Sequence, residues 1–289
     1  MTASTRAEVL AALPTFFDER GEIDRATTTT HLAWLAGRVD GVFVAGTTGE
    51  FPALDHAERL MLAEAALAAF GPDRVVVHIG AASTRASVAL TRDVVAAGGR
   101  RVAALTPYYL PADEDAVTRH FAAIAAAAGH AATYGYLFTE RSGIDVGPAA
   151  FGRIAAATGL AGLKLSGAAN DRIGDYLGAL PAGARLWSGA DTSLGDVARR
   201  GGAGIVSGLS SAFPEPFAAL ADAVSAGDAT AEQAAQQRAD AVLAATLGSV
   251  EGIKHALALF GHGNGELRMP APAIPDPGAI ARLVPAAVR

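Results

Sequence analysis

Eight short apolar runs, each followed by a longer segment with helical spacing of its apolar residues, constrain this 289-residue chain most strongly. Short runs rich in Val, Ile and Leu are typical of strands buried on both faces of a parallel sheet. Eight strands that alternate with eight helices in this length are what a closed barrel needs. The predicted strands are Leu10–Phe17, Gly41–Gly46, Arg74–Gly80, Arg101–Thr106, Ala132–Phe138, Ala161–Leu165, Ala184–Ser188 and Gly204–Ser207.

The competing arrangement is an open, doubly wound parallel sheet. Its dinucleotide-binding version has little support, because no G-x-G-x-x-G follows the first strands. Helix starts are visible as well: Asp55, with Glu58 three residues later, has the pattern of a capping box. We therefore predict an α/β fold, a (β/α)8 TIM barrel, with residues 1–213 as the catalytic domain.

The pattern changes after the eighth run. From Pro214 to Phe260 the spacing is only helical, with breaks at Gly227-Asp228 and Gly248-Ser249. A proline-rich stretch, Met269–Pro275, then precedes a short helical segment. The sequence predicts that residues 214–289 form a small helical C-terminal extension packed on the barrel.

Composition and charge exclude several functions. A chain without cysteine has no disulfide framework, no thiolate metal site and no cysteine nucleophile, which fits a reducing, cytoplasmic compartment. A net charge of −6 argues against nucleic acid as the main partner. Phe121–Thr139 carries no charge, but Gly129-His130 divides it into an Ala-rich half and an aromatic half. We expect a buried helix and a buried strand there, and no membrane span.

Four segments are candidates for chemistry, because reactive groups in such a barrel lie at the C-terminal ends of the strands. Lys164 is the most informative residue: it is either a lysine whose head reaches solvent, or a poorly solvated amine that attacks a carbonyl. The residues alone leave both interpretations open. The four segments are Gly46–Glu50, Thr106–Pro111, Tyr136 with Arg141–Gly143, and Lys164.

The other three segments are ambiguous in the same way. Gly46–Glu50 is either an ordinary turn or a concavity of amide N–H groups that binds a small carboxylate. Tyr108 and Tyr109 are either packing residues or site residues, and Tyr136 is either a core tyrosine or a reactive one. The seven histidines show no metal-hydrolase spacing, and no serine lies in a nucleophile-elbow pattern.

Together, these segments resemble the dihydrodipicolinate synthase/N-acetylneuraminate lyase superfamily of pyruvate-dependent class I aldolases. The resemblance runs from about Leu13 to Phe213, in the same order and spacing. The motifs that carry it are Pro14-Thr15-Phe16, the GTTGE loop at Gly46–Glu50, the TPYY loop at Thr106–Tyr109, Tyr136 five positions before Arg141, Gly162-Leu163-Lys164, Ser188-Gly189 with Asp191, and Gly204–Ser207.

The resemblance implies a role for each catalytic position. Lys164 forms a Schiff base with the ketone of pyruvate or another 2-keto acid. Tyr136 moves protons, helped by a hydroxyl relay with Thr47 and with Tyr109, and the latter comes from the neighbouring subunit of a tight dimer. The resemblance further implies a homo-oligomer, either dimer or tetramer, that uses neither a metal nor an organic cofactor.

The substrate-binding positions follow from the same resemblance. The backbone amides of Thr47 and Thr48 hold the keto-acid carboxylate, and the backbone around Val206 orients the pyruvyl group. Gly189 belongs to the same set. An arginine at the place of Arg141 binds the carboxylate of aspartate semialdehyde in dihydrodipicolinate synthases. The alternative for Arg141 is a surface ion pair with a nearby carboxylate.

Departures from the family pattern bear on the second substrate. Family members commonly follow the strand-five tyrosine with Asn and then Pro, whereas this chain has Leu137–Glu140. Leu165 replaces a polar or acidic residue, and the loop to Ser166-Gly167 is one residue short. We expect both changes on the aldehyde side of the pocket, where Thr139, Glu140, Ser166 and Ser207 offer hydroxyl-binding groups.

Three functions therefore remain in order. The first is an aldolase that cleaves or forms a 2-keto-3-deoxy sugar acid, with pyruvate as one product or substrate. The second is 4-hydroxy-tetrahydrodipicolinate (dihydrodipicolinate) synthase, which condenses pyruvate with aspartate semialdehyde. The third is a catalytically inactive sensor that binds a keto acid.

Overall fold

The computed structural model describes residues 6–285, and its eight parallel strands close into a barrel in chain order, with β8 paired to β1. This confirms the predicted (β/α)8 fold. The strands are β1 Glu8–Ala12, β2 Gly41–Val44, β3 Val75–His78, β4 Arg101–Leu105, β5 Ala132–Leu137, β6 Gly162–Leu165, β7 Arg185–Ser188 and β8 Gly204–Ser207.

Only the first strand differs noticeably from its predicted range. It ends at Ala12, and Leu13–Phe17 continues as a buried loop. Pro14 lies just beyond the strand, and a proline has no N–H with which to continue a ladder.

Helices follow the strands and surround the barrel. The capping box predicted from Asp55 and Glu58 is present at the start of α2. The helices are α1 Arg25–Leu35, α2 His56–Phe70, α3 Thr84–Ala96, α4 Glu114–Ala128, α5 Thr139–Ser142, α6 Pro148–Thr158, α7 Ile173–Ala179, α8 Leu194–Arg199, α9 Pro214–Ala226, α10 Ala229–Thr246, α11 Val250–Leu259 and α12 Pro277–Leu283.

The C-terminal part is helical and breaks where the sequence indicates. Gly227 ends α9 in a left-handed conformation, and Leu247 does the same for α10 just before Gly248. Helix α9 contacts β1 and α8, so it completes the ring of helices, whereas α10, α11 and α12 lie beyond it. Among the described residues, no single helix is long and apolar enough to cross a membrane. The pair α10 and α11 passes on length and composition only as two segments bent by 104°.

Two apolar layers hold the site in place. One fills the space between strands and helices, and the other fills the barrel interior, where Tyr134, Tyr136 and Trp187 are buried. Strand register sets which residues meet there: Tyr136 on β5 pairs with Lys164 on β6, which pairs with Trp187 on β7. Alternation along each strand then directs these side chains to the same, inner face.

Candidate active site

A cavity of about 620 Å³ opens at the C-terminal ends of the strands. It is bounded by strand ends, by the loops that follow them and by a C-terminal segment at residues 267–272. A second cavity, of about 540 Å³, lies between α4 and α6 and is lined mainly by Ala and Gly. The first cavity contains these predicted residues: Thr47, Thr48, Tyr136, Arg141, Lys164, Gly189 and Val206.

Lys164 reaches this cavity from β6. Its side chain is buried, and Nζ lies 3.7 Å from the centre of the Tyr136 ring and 3.2 Å from Ser166 Oγ, to which it donates. No acidic side chain lies within ion-pair distance of it in the described chain. The amine is therefore enclosed and faces the cavity, which favours a nucleophile over a lysine whose head extends into solvent.

Tyr136 is only 1% exposed, and its phenol meets the groups needed for proton transfer. Its Oη lies 3.1 Å from Thr47 Oγ1. Burial by itself raises the pKa of this phenol, but the nearby Lys164 ammonium and polar contacts with Ser166 and Thr47 outweigh burial and lower it. A phenol with a lowered pKa is a better proton donor and its phenolate is easier to form near neutral pH.

The GTTGE loop presents free backbone donors to the cavity. Glu50 N–H donates to Thr47 O and Phe51 N–H donates to Gly46 O, which closes the loop into a tight turn. Within the described residues, the N–H groups of Thr47 and Thr48 donate to no protein acceptor. Two adjacent free N–H groups in a turn form a concavity suited to a small carboxylate.

Tyr109 and Tyr108 take different positions. Tyr109 is 90% exposed, has a positive φ of 83° and does not line this chain's cavity. Tyr108 lines it instead and contacts Phe51, with ring centroids 5.9 Å apart. The chain thus brings together Thr47 and Tyr136 of the proposed relay, and leaves the third hydroxyl on its surface.

Arg141 lies in the cavity wall without an acidic partner. It forms no ion pair with Glu140 or Asp145, and its guanidinium lies 5.6 Å from the Phe138 ring centre. Glu140 instead accepts the N–H of Ala168 through Oε1, at 2.8 Å. The guanidinium is therefore available to a carboxylate in the cavity.

Three residues expected near the second substrate lie elsewhere. Leu165 is buried in the layer between strands and helices, because it follows the inward-facing Lys164 by one position. Thr139 and Ser207 do not line the cavity either. Of the hydroxyl-binding groups expected from the sequence, Ser166 alone lines it, and it is bonded to Lys164.

The model of the dihydrodipicolinate synthetase family matches residues 5–276. The chain belongs to this family. It is thus a lyase of the pyruvate-dependent aldolase superfamily, as the resemblance implied. In the described residues, no group of three or more His, Asp or Glu side chains could hold a metal ion.

Relatives and solved structures agree with this assignment. An uncharacterized DapA-like lyase of Halobacterium salinarum is 32% identical over 272 residues, which cover 93% of this chain and 89% of that protein. A 4-hydroxy-tetrahydrodipicolinate synthase of Symbiobacterium thermophilum is 31% identical over 274 residues, 92% of each chain. The solved 4-hydroxy-tetrahydrodipicolinate synthase of Methylacidiphilum fumariolicum has a TM-score of 0.87 at 27% identity and covers 96% of this chain and 95% of that one.

The lyase also contains site residues to which the sequence gave no role. Asp191 lines the cavity, and its Oδ1 accepts from Ser207 Oγ and from the N–H of Leu209. Burial raises the pKa of this carboxyl, against the lowering effect of those hydrogen bonds and of Lys164. Its place in the Ser188-Gly189-x-Asp191 motif was the available signal.

His78 is a second such residue, fully buried on β3 beneath the loop. Its Nε2 accepts the N–H of Leu105 at 3.1 Å, so Nδ1 carries the proton and donates to Ala45 O at 3.0 Å. Burial, with Arg59 beside it, lowers the pKa of His78 well below its usual range. The neutral ring thereby holds Ala45, a non-glycine residue at φ 52°, directly before the GTTGE loop.

Proposed function

We propose that this lyase forms a Schiff base between Lys164 and pyruvate or a closely related 2-keto acid. The observation that carries the proposal is the enclosed amine beside a tyrosine whose pKa is lowered. The two free N–H groups of the GTTGE loop support it, because they offer the keto-acid carboxylate a place in the same cavity.

The chemistry follows in balanced steps. Lys164 Nζ adds to the keto carbon, the keto oxygen leaves as water after two proton transfers, and a C=N bond remains. Loss of a methyl proton gives an enamine, whose carbon adds to an aldehyde while the aldehyde oxygen takes up a proton. Cleavage is the reverse. Tyr136 is placed to donate and accept these protons, with Thr47 as its hydrogen-bond partner.

We infer that the second substrate is an aldehyde that bears a carboxylate. Arg141 supports this inference, since its guanidinium lines the cavity and has no acidic partner. A planar guanidinium binds a carboxylate bidentately. Condensation of pyruvate with aspartate semialdehyde is the reaction of this type that the named relatives suggest.

A 2-keto-3-deoxy sugar acid is the second candidate. Asp191 favours it, because Oδ2 accepts no hydrogen bond from a described residue and the side chain lines the cavity. A buried carboxylate oxygen with unused capacity suits a substrate hydroxyl. Against this candidate, Thr139, Glu140 and Ser207 do not face the cavity.

A trapping experiment tests the Schiff base directly. The chain has two lysines, Lys164 and Lys254, and both are buried, so the second serves as an internal control. Incubation with pyruvate and borohydride should add one pyruvyl group at Lys164 and none at Lys254. An unmodified Lys164 across a panel of 2-keto acids would contradict the aldolase. Binding of a keto acid without trapping or turnover would favour the sensor.

A paired assay tests the second substrate. We expect condensation of pyruvate with aspartate semialdehyde to exceed pyruvate release from 2-keto-3-deoxygluconate. Arg141→Ala should weaken the condensation on the order of tenfold or more, the usual cost of losing a charged bidentate contact. Faster cleavage of the sugar acid, unaffected by Arg141→Ala, would favour the second candidate.

We further propose that Tyr109 completes the relay in a neighbouring copy of the chain. Its side chain is exposed beside the exposed Leu110, and its positive φ directs the loop away from its own cavity. Such a pair of apolar side chains is typical of a contact surface. A monomeric Tyr109 variant with full turnover would contradict this role.

A further inference from the structure

A segment after α11 closes part of the cavity. Residues 265–272, called the strap below, form neither helix nor strand. Leu267 and Met269–Pro272 line the cavity, and their side chains carry no N–H or O–H group. Three glycines with positive φ, at positions 261, 263 and 265, lead into the strap.

Side chains alone attach the strap. In the part of the chain that the structure describes, no backbone-to-backbone hydrogen bond joins residues 266–272 to another element. The Glu50 carboxylate instead accepts the N–H groups of Arg268 and Met269, at 3.0 and 2.8 Å. Lys254 Nζ donates to Glu50 and also to the carbonyl of Glu266, at 2.7 Å.

Arg268 provides a second attachment, nearer the surface. Its guanidinium binds both carboxylate oxygens of Glu58, at 2.6 and 2.8 Å, and donates to the carbonyls of Gly21 and Ala53. The strap is therefore fixed at two points, and Glu50 is the deeper one.

Glu50 connects the two halves of the site. It is the last residue of the GTTGE loop, in a left-handed conformation with φ 53°, and it is 2% exposed. Lys254 is also 2% exposed. A buried ion pair often adds little net stability compared with apolar residues of the same size. Because three donors converge on this carboxylate from the C-terminal region, its main effect is to fix the strap relative to Thr47 and Thr48.

We propose that Glu50 is a positioning residue for the second substrate. Through Lys254 and the strap amides it holds an apolar wall across the cavity, against which the aldehyde half lies. The wall favours a second substrate whose strap-facing portion is apolar, since a hydroxyl buried there would lose its hydrogen bonds. This inference rests on the proposed function, because it takes imine formation at Lys164 as given.

The test removes both charges together, so that neither is left buried alone. In Glu50→Gln/Lys254→Met, we expect hydrogen exchange at the amides of Arg268 and Met269 to accelerate at least about tenfold. The kcat/KM for aspartate semialdehyde, or for 2-keto-3-deoxygluconate, should fall on the order of 10- to 100-fold, mainly through KM. The pyruvate concentration that gives half-maximal borohydride trapping should change less than about twofold.

Leu220→Ala serves as the matched control, because Leu220 is fully buried in α9 and does not line the cavity. It should lower stability without changing either substrate constant. Equal losses for pyruvate and the second substrate in the double variant would overturn the proposal, since Glu50 would then act through the GTTGE loop. An unchanged second-substrate constant despite faster exchange would overturn it as well.

Met269→Ala keeps the proposal testable if the double variant does not fold. The Met269 side chain is 40% exposed, and its anchoring contact with Glu50 is made by the backbone alone. We expect a change of at least about threefold in the ratio of kcat/KM for the two second substrates. An unchanged ratio would contradict the wall. A wild-type enzyme that is not trapped at Lys164 would refute the proposed function itself, and the exchange data would still judge the anchoring by Glu50.

Discussion

Removal of one oxygen atom, in Tyr136→Phe, separates chemistry from structure at this site. The hydroxyl lies 3.1 Å from Thr47 Oγ1 and beside Lys164, inside a ring cluster with Phe43 and His78. The phenylalanine ring retains those ring contacts. We expect the variant to fold and to bind pyruvate, and to lose most of its turnover.

The two costs differ in size. Loss of a single hydrogen bond whose partner, Thr47, is only half-buried costs about 1 kcal/mol of stability. Loss of a positioned proton-transfer group slows a reaction by about 10²- to 10⁴-fold, which corresponds to roughly 3 to 5 kcal/mol in the barrier. The kinetic effect therefore exceeds the effect on stability several times over.

Tyr134→Phe is the matched control, because Tyr134 lies two residues earlier on the same strand and faces the same barrel interior. Turnover, the rate of borohydride trapping and the melting temperature should be measured for both variants. The lowered pKa of Tyr136 also predicts a limb of the wild-type pH–rate profile below the ordinary tyrosine range, which Tyr136→Phe should remove. Equal turnover in the two variants would refute the role of Tyr136.

Two further predictions concern the barrel itself. Burial, with a smaller effect of His262, lowers the pKa of His31 to about 3. The unfolded chain then binds the proton first as pH falls from 6.5, so the free energy of unfolding should drop by about 2 kcal/mol between pH 7.5 and 5 through this residue. Chemical denaturation of His31→Phe at both pH values should show that much less loss, and an equal loss would contradict it. Gly162→Ala should cost more than about 2 kcal/mol, because a Cβ there would overlap the backbone of Arg185, whereas Gly178→Ala in α7 should stabilise slightly; similar melting temperatures for the two variants would refute this.

The barrel was predictable because its signal is local and repeated. Each strand is a short apolar run and each helix has its own spacing, so the order of elements follows from the chain. The inward direction of Lys164 and Tyr136 depends on register, since a slip of one residue would turn either side chain toward the helices. The motif spacing indicated the right positions, and the pairing of Tyr136 with Lys164 gives the physical reason.

The contacts that complete the site were not predictable in the same way. Glu50 and Lys254 are 204 residues apart, and nothing near either residue indicates the other. His78 carries no motif, and its hydrogen bond to Ala45 O depends on how β2 and β3 lie side by side. Leu165 departs from the family pattern, yet it faces away from the cavity. A local pattern carries no information about such long-range contacts.

This difference in attachment has a consequence for specificity. The Schiff-base residues lie on paired strands, where shifting one of them requires breaking a ladder of hydrogen bonds that closes the barrel. The strap has no such ladder and depends on one buried carboxylate and one guanidinium. Substitutions in the strap can therefore reshape the wall at a small cost in stability, while Lys164 and Tyr136 keep their geometry. Changes of second substrate in this family member should arise more readily in residues 265–272 than at the ends of the strands.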